Sequence, residues 1–365
     1  MMIVSKQLQI FFDFLKFSIG FTKDIPSSLK EADWKELYRI AKKQCLVGVL
    51  FDGIKKLPTE LVGMKKELLL QWMAESQMLE KANGRLNDAA IQVSEWFWKK
   101  GFRTCILKGQ GNALMYPNPY SRTPGDIDVW VEGGDKRVIS FVRSISPHEK
   151  ACYHHIDFPS YKGVEVEVHY RPSFLLCFWH NRMLQKYYER VKEKQFSHRV
   201  MLGEHGEVAI PTVEFNLIFQ LTHIFSHLMN EGIGLRQLLD YYYVLSMLSV
   251  NSEMLTSLQQ ELKELGLWKF AGGIMYIMQE VFGMPASRLI VPPNEKYGKF
   301  VLNEVLEAGN FGKHDARNRF GRSQLGHNLQ RVYRDMRLMR YFPAEALCEP
   351  LFRIWHFFWR VMNKI

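Results

Sequence analysis

The spacing of apolar and polar positions divides the chain into helical, strand-like and again helical stretches. Residues 7–19 (QLQIFFDFLKFSI) and 29–55 have helical periodicity with mixed faces. In the second stretch Trp34, Leu37, Ile40 and Ala41 recur on one side, and the stripe continues through 46–51. A long helix is expected over 65–100, with Leu79, Leu86, Ala90, Val93 and Phe97 on one side and Gly101 as its stop. Residues 1–100 therefore read as a helical layer without chemistry of its own.

The period then shortens. Thr104-Cys105-Ile106-Leu107 reads as a buried strand, broken at Lys108-Gly109-Gln110-Gly111. A turn or two of helix over 112–116 ends at Pro117-Asn118-Pro119, and a second strand follows over 126–131. Gly133-Gly134 leads into a helix over 135–144. Residues 152–158 and 164–170 read as a hairpin about a turn at 159–163, its second strand alternating strictly: Val164, Val166 and Val168 on one face, Glu165, Glu167 and His169 on the other.

From Pro172 the helical period returns. The apolar runs 175–179 and 183–188 are expected in the core, and a short hairpin is expected over 199–211 around Gly203 to Gly206. Thr212 opens a helix to about Met229. Residues 252–283 read as two helices with Gly266 and Gly272-Gly273 between them, and the aromatic, basic stretch 351–365 as a helix docked on the body.

Composition narrows the function classes. Hydrophobic residues make up 47% and charged residues 24%, ordinary for a folded globular protein. A net charge of +10 suits a nucleotide, an RNA or a membrane surface, and many basic proteins bind none of these. Five scattered cysteines without a CxxC argue against a disulfide framework or a zinc site and for a reducing compartment, here read as cytoplasmic. The N-terminal apolar run is interrupted by Lys6, Asp13 and Lys16, so neither a signal peptide nor a transmembrane segment is expected.

The chemistry centres on 103–132. On a strand, Asp126 and Asp128 share one face while Ile127, Val129 and Val131 share the other. Two carboxylates that close require a positive partner, most economically Mg²⁺, which takes oxygen ligands and is commonly held by one or two carboxylates together with substrate phosphates. The glycine-containing turn at Lys108-Gly109-Gln110-Gly111 supplies backbone N–H groups for phosphates, and Lys108 a point charge.

Leu107-Lys108-Gly109, Tyr116-Pro117, Arg122 and Asp126-Ile127-Asp128 resemble the nucleotidyltransferase superfamily that includes the DNA polymerase beta-like enzymes. More narrowly, they resemble the bacterial family of uncharacterised nucleotidyltransferases with an LKG…R…DIDLLV signature. In the superfamily the turn usually reads Gly-Ser, where this chain has Lys108-Gly109. With the element pattern, the resemblance implies an α+β fold: a small mixed β-sheet core of nucleotidyltransferase type over 101–210, between helical regions at 1–100 and 211–365.

The resemblance also implies transfer of a nucleoside monophosphate from an NTP to a hydroxyl or phosphate acceptor on a small molecule, an RNA end or a protein. Nothing in the residues selects the acceptor or the base. Two Mg²⁺ ions, with Mn²⁺ as an alternative, would be held by Asp126, Asp128 and a third carboxylate. Glu167, in Glu167-Val168-His169-Tyr170, is favoured because it resembles the family's acidic-x-His-aromatic ending; Glu165 is the rival. Gly109 and Gly111 would admit the phosphates, and Lys108 and Arg122 would neutralise their charge. Arg236 and Asp240, four apart on a helix, either pair with each other on a surface or border the nucleotide cleft as in the family.

Three weaker signals accompany these. His223 and His227 lie four apart but lack the HExxH form, which favours packing over metal binding. Gly309-Asn310-Phe311-Gly312 resembles a short family signature. The basic segment with Lys313, His314, Arg317, Arg319 and Arg322 reads as a solvated loop, or as one over phosphates or an RNA backbone. The rival functions are a catalytically degenerate NTP-binding regulator and a basic RNA-binding protein.

Overall fold

The computed structural model describes residues 5–362 except 59, 61–62, 205, 250, 316 and 318–323. Four helices open the chain: α1 (Lys6–Ser18), α2 (Trp34–Lys43), α3 (Val47–Ile54) and α4 (Lys66–Lys99). The stretch expected as one helix over 29–55 is thus divided. Asp33 caps α2 through the N–H groups of Lys35 and Glu36, and Cys45 at φ +55° reverses the chain before α3. The long helix closes as expected at Gly101, φ +80°, where the Phe102 N–H folds back onto the Phe97 carbonyl.

A four-stranded mixed sheet follows, made of β1 (Thr104–Leu107), β2 (Ile127–Val131), β3 (His155–Tyr161) and β4 (Val164–His169), in the order β1-β2-β4-β3. Pairings β1–β2 and β4–β3 are antiparallel, and β2–β4 is parallel across α6 (Gly134–Ile145). The hairpin turn is tighter than expected. It needs only Lys162 and Gly163, both at positive φ, because β3 runs through Pro159 and Ser160 to Tyr161 with a register shift.

Alternation along β2 separates the two faces of the sheet. Ile127, Val129 and Val131 pack with Ala90, Val93 and Phe97 of α4 and with Val138 and Val142 of α6. Trp130, on the Asp128 face, packs on Phe196 of α7 (Phe178–Ser197) and Phe215 of α8 (Val213–Asn230). The expected second hairpin is present as β5 (Arg199–Leu202) and β6 (Gly206–Ala209), and Thr212 caps α8 through the Phe215 N–H. In the apolar run 175–179, Leu175 and Leu176 are buried, whereas Phe178 and Trp179 are exposed on the outer side of the first turn of α7.

The remaining helices are α9 (Leu235–Met247), α10 (Ser252–Glu264), α11 (Trp268–Glu280), α12 (Glu295–Ala308), α13 (Gln324–Met339) and α14 (Pro343–Met362). Gly266 does separate α10 from α11, but Gly272 and Gly273 lie inside α11. A Cβ on either would come within 3.1 Å of Asn294 or Tyr297, so these glycines admit a close crossing with α12 rather than break a helix. One continuous apolar core joins α1–α3 to α8–α12 and reaches the β1–β2 end of the sheet. The C-terminal helix docks along one stripe, with Ala346 and Phe352 buried, while Leu351, Ile354, Phe357 and Phe358 face outward. Among the described residues no helix is long and apolar enough to cross a membrane.

Candidate active site

The parallel pairing of β2 with β4 sets Asp128 directly beside Glu167, and Asp126 just precedes β2 on the same parity. Asp126, Asp128 and Glu167 each place a carboxylate oxygen within 4.8 Å of the other two, a grouping that does not include Glu165. All three donors are hard oxygens, the set that Mg²⁺ and Mn²⁺ prefer.

Two cations hold the centre of this cluster. Lys108 Nζ lies 2.7 Å and His169 Nε2 2.9 Å from the same oxygen, Asp128 Oδ1, and His169 also reaches Glu167 at 3.3 Å. Burial alone would raise the Asp128 carboxyl, but Lys108 and His169 outweigh it and hold it well below the usual carboxylate range. Burial likewise opposes charge on His169, yet its hydrogen bonds to Asp128 and Glu167 push it up to about 9, so the ring is an imidazolium at neutral pH. Asp126 behaves oppositely. The Asp128 charge beside it, with burial, raises it to about 6, which marks the position where positive charge is still wanted.

Lys108 sits at φ +49°, ψ −135°, a backbone conformation that favours glycine, between β1 and the short helix α5 (Gly109–Ala113). Strain of this kind persists where surrounding structure enforces it, here through the Lys108–Asp128 contact. The helix begins at Gly109, earlier than the expected 112–116, with the Asn112 N–H donating to the Lys108 carbonyl at 3.1 Å.

The other expected site residues divide. Gly109 lines a cavity of about 890 Å³ above the carboxylates, within the size range of small-molecule sites. Gly111 does not line it: a Cβ there would meet Ile210 at 3.2 Å, so its smallness serves the packing of α5. Arg122 lines the cavity but spends Nε and Nη2 on the two oxygens of Asp240, each at 2.8 Å, and the Tyr116 hydroxyl donates to Asp240 at 2.7 Å. The surface pairing of Arg236 with Asp240 is therefore replaced by a buried Arg122–Asp240 pair, both side chains no more than 6% exposed. Arg236 lines the cavity, donates Nη1 to the Thr123 carbonyl and lies beside Gly125; its Nε has no hydrogen-bond partner.

His223 and His227 stack edge to face at 4.3 Å and line the same cavity. In the basic segment, Lys313 is exposed at the cavity wall, whereas Arg317 is committed to Asp315 and Glu304. Arg319 and Arg322 lie outside the described residues.

Sequence reasoning missed the imidazoles around the carboxylates. His154 and His155 stand beside His169, with His155 Nδ1 at 3.6 Å from Glu167 Oε2. Burial pushes His154 well below the ordinary histidine value and His155 down to about 4, leaving both neutral. The adjacent His154-His155 pair was the available signal. Arg331, Phe352 and His356, from α13 and α14, complete a wall that no local pattern announced.

Residues 30–283 match the model of a family described as uncharacterised nucleotidyltransferase. No curated protein matches the chain. A similar solved structure is that of an antigenic nucleotidyltransferase-like protein from Paracoccidioides brasiliensis, at 15% identity and a TM-score of 0.35, covering 61% of this chain and 97% of that one.

Proposed function

We propose, from the premise that the chain belongs to the family of uncharacterised nucleotidyltransferases, that it transfers a nucleoside monophosphate from an NTP to a hydroxyl or phosphate acceptor and releases pyrophosphate. The observation that carries this reading is the convergence of Asp126, Asp128 and Glu167 at the cavity. The donor set fits Mg²⁺, with Mn²⁺ as an alternative, held by these three carboxylates; the metal would screen the triphosphate and acidify the attacking hydroxyl.

The chain's own groups supply the rest. Glu167 accepts the proton of the acceptor. Lys108 and His169 keep Asp128 ionised. Arg236 and Lys313, both at the cavity wall, offer cationic donors to phosphate oxygens. Arg122 and Asp240 brace the segment leading to Asp126. One observation favours a second reading, NTP binding without turnover: Asp128 engages two cationic side chains, Lys108 and His169, through one oxygen.

The test is a thermal-shift series of wild type and Asp128→Asn with ATP, GTP, CTP and UTP, each with and without Mg²⁺. A Mg²⁺-dependent rise in wild type, absent from the variant, is expected, and pyrophosphate release over an acceptor panel separates turnover from binding. No shift with any nucleotide in folded protein would remove the nucleotide site. RNA binding that weakens steeply with salt and survives Asp128→Asn would then favour an RNA-binding protein.

A further inference from the structure

A second cluster of metal-ligating side chains lies apart from the carboxylates and shares no residue with them. Cys177 precedes α7, and His180 is in its first turn. Glu345 and Cys348 occupy the start of α14, far along the chain. Both pairs are spaced three apart, which sets each pair on one face of its helix. Ligand atoms of Cys177, His180 and Glu345 lie within 4.8 Å of one another, with His180 Nδ1 at 3.2 Å from Glu345 Oε1. The Cys348 thiol faces the Cys177 thiol, one turn along α14 from Glu345, and stands farther from the other two donors. We propose that Cys177, His180, Glu345 and Cys348 form a structural zinc site that clips α14 to the start of α7.

The donor chemistry selects the metal. Two sulfurs, an imidazole and one carboxylate are a tetrahedral zinc set, in contrast to the all-oxygen cluster at Asp126. With Zn–S near about 2.3 Å and Zn–N near about 2.0 Å, tetrahedral donors stand roughly 3.3–3.8 Å apart. The donors of Cys177, His180 and Glu345 therefore need only a small contraction, and Cys348 approaches from the Cys177 side to complete the set.

The surroundings hold the donors in place. Glu345 Oε2 accepts the N–H groups of Leu176 at 2.6 Å and Cys177 at 3.1 Å, which turns Oε1 toward His180. The His180 ring lies over Gly266, where a Cβ would come within 2.4 Å of it, so only glycine leaves room for the imidazole.

The clip has a consequence for the cavity. Glu349, Phe352 and Arg353 follow Cys348 on α14 and line the cavity wall, so zinc would fix that wall against α7 without touching the reacting groups.

The test uses the full chain purified under reducing conditions. Metal analysis after dialysis against a weak chelator is expected to find about one zinc ion per chain. The metal should be lost in Cys177→Ser/Cys348→Ser and retained in Asp128→Asn and Cys152→Ser. If the double variant fails to fold, cobalt substitution of wild type and Cys152→Ser decides. A thiolate-to-cobalt charge-transfer band with tetrahedral d–d bands, displaced by zinc, supports the site in both proteins. Absence of these bands, unchanged zinc in a folded double variant, or a Cys177–Cys348 disulfide in zinc-free protein each overturns the proposal.

Discussion

Asp128→Asn tests how the carboxylate cluster is held together in the absence of metal. The Asp128 side chain is 4% exposed and engages Lys108 Nζ and His169 Nε2 through one oxygen. An asparagine keeps the shape and removes the charge, leaving two buried cations facing a neutral amide. For His169 the loss follows from its titration: the rise from 6.5 to about 9 is worth at most about 3.4 kcal/mol, at about 1.36 kcal/mol per pH unit.

A cation whose value is raised on folding contributes fully below its unfolded value, and the contribution disappears as pH rises through the folded one. The His169 contribution is therefore about 3 kcal/mol at pH 6, about 2 kcal/mol at pH 7.5 and nearly zero at pH 9.5. Glu167 retains part of it, so these are ceilings. Lys108 stays charged throughout and adds a pH-independent loss of about 1.5–3 kcal/mol. The assay is urea unfolding of wild type and variant in EDTA at the three pH values. The gap between them should narrow steadily with rising pH. A gap that is flat or widens, or is absent at pH 6, would refute the assignment of His169 as an imidazolium held by Asp128.

Three further perturbations follow from the geometry. Arg122→Met or Asp240→Asn alone strands a buried charge and should cost about 3–5 kcal/mol, while the double substitution should cost clearly less than the sum in a double-mutant cycle; additivity would show that the two side chains do not interact. Gly48→Ala places a Cβ 2.3 Å from the Ser121 carbonyl oxygen, backbone that cannot rotate away. It should lower stability by about 1–3 kcal/mol, read by thermal unfolding, and a Tm equal to wild type would contradict that packing. Asp335, raised to about 7 by burial and by Glu349, is stabilising below the ordinary aspartate value, and that stability is lost as pH rises through 7. Wild type should lose about 1–2 kcal/mol between pH 5 and pH 8, a slope that Asp335→Asn removes and that equal slopes in both proteins would disprove.

Much of the site was legible because its signals are local. The Asp126-x-Asp128 parity, the strict alternation of 164–169 and the stop at Gly101 each depend on a few consecutive residues, and all three recur in the structure. The errors arose where local signs have two meanings. Cys45 takes a left-handed conformation that no glycine announced, dividing the expected 29–55 helix. Gly272-Gly273 resemble a breaker but serve a close helix crossing. Arg236 and Asp240 read either as a surface pair or as a border of the cleft: both line the cavity, and Asp240 takes Arg122 from 118 positions away.

By itself, then, the chain determined its strands, most of its helices, the parity of its carboxylates and, by resemblance, its family. Periodicity and capping are settled within a turn or two of backbone, so the residues declare them. Only the tertiary structure decided that β2 and β4 run parallel with Asp128 beside Glu167, that Lys108 and His169 share one oxygen of Asp128, and that α13 and α14 wall the cavity. It likewise brought the scattered Cys177 and Cys348 together. Such pairings depend on which distant surfaces exclude water from one another, and no short window of sequence carries that information.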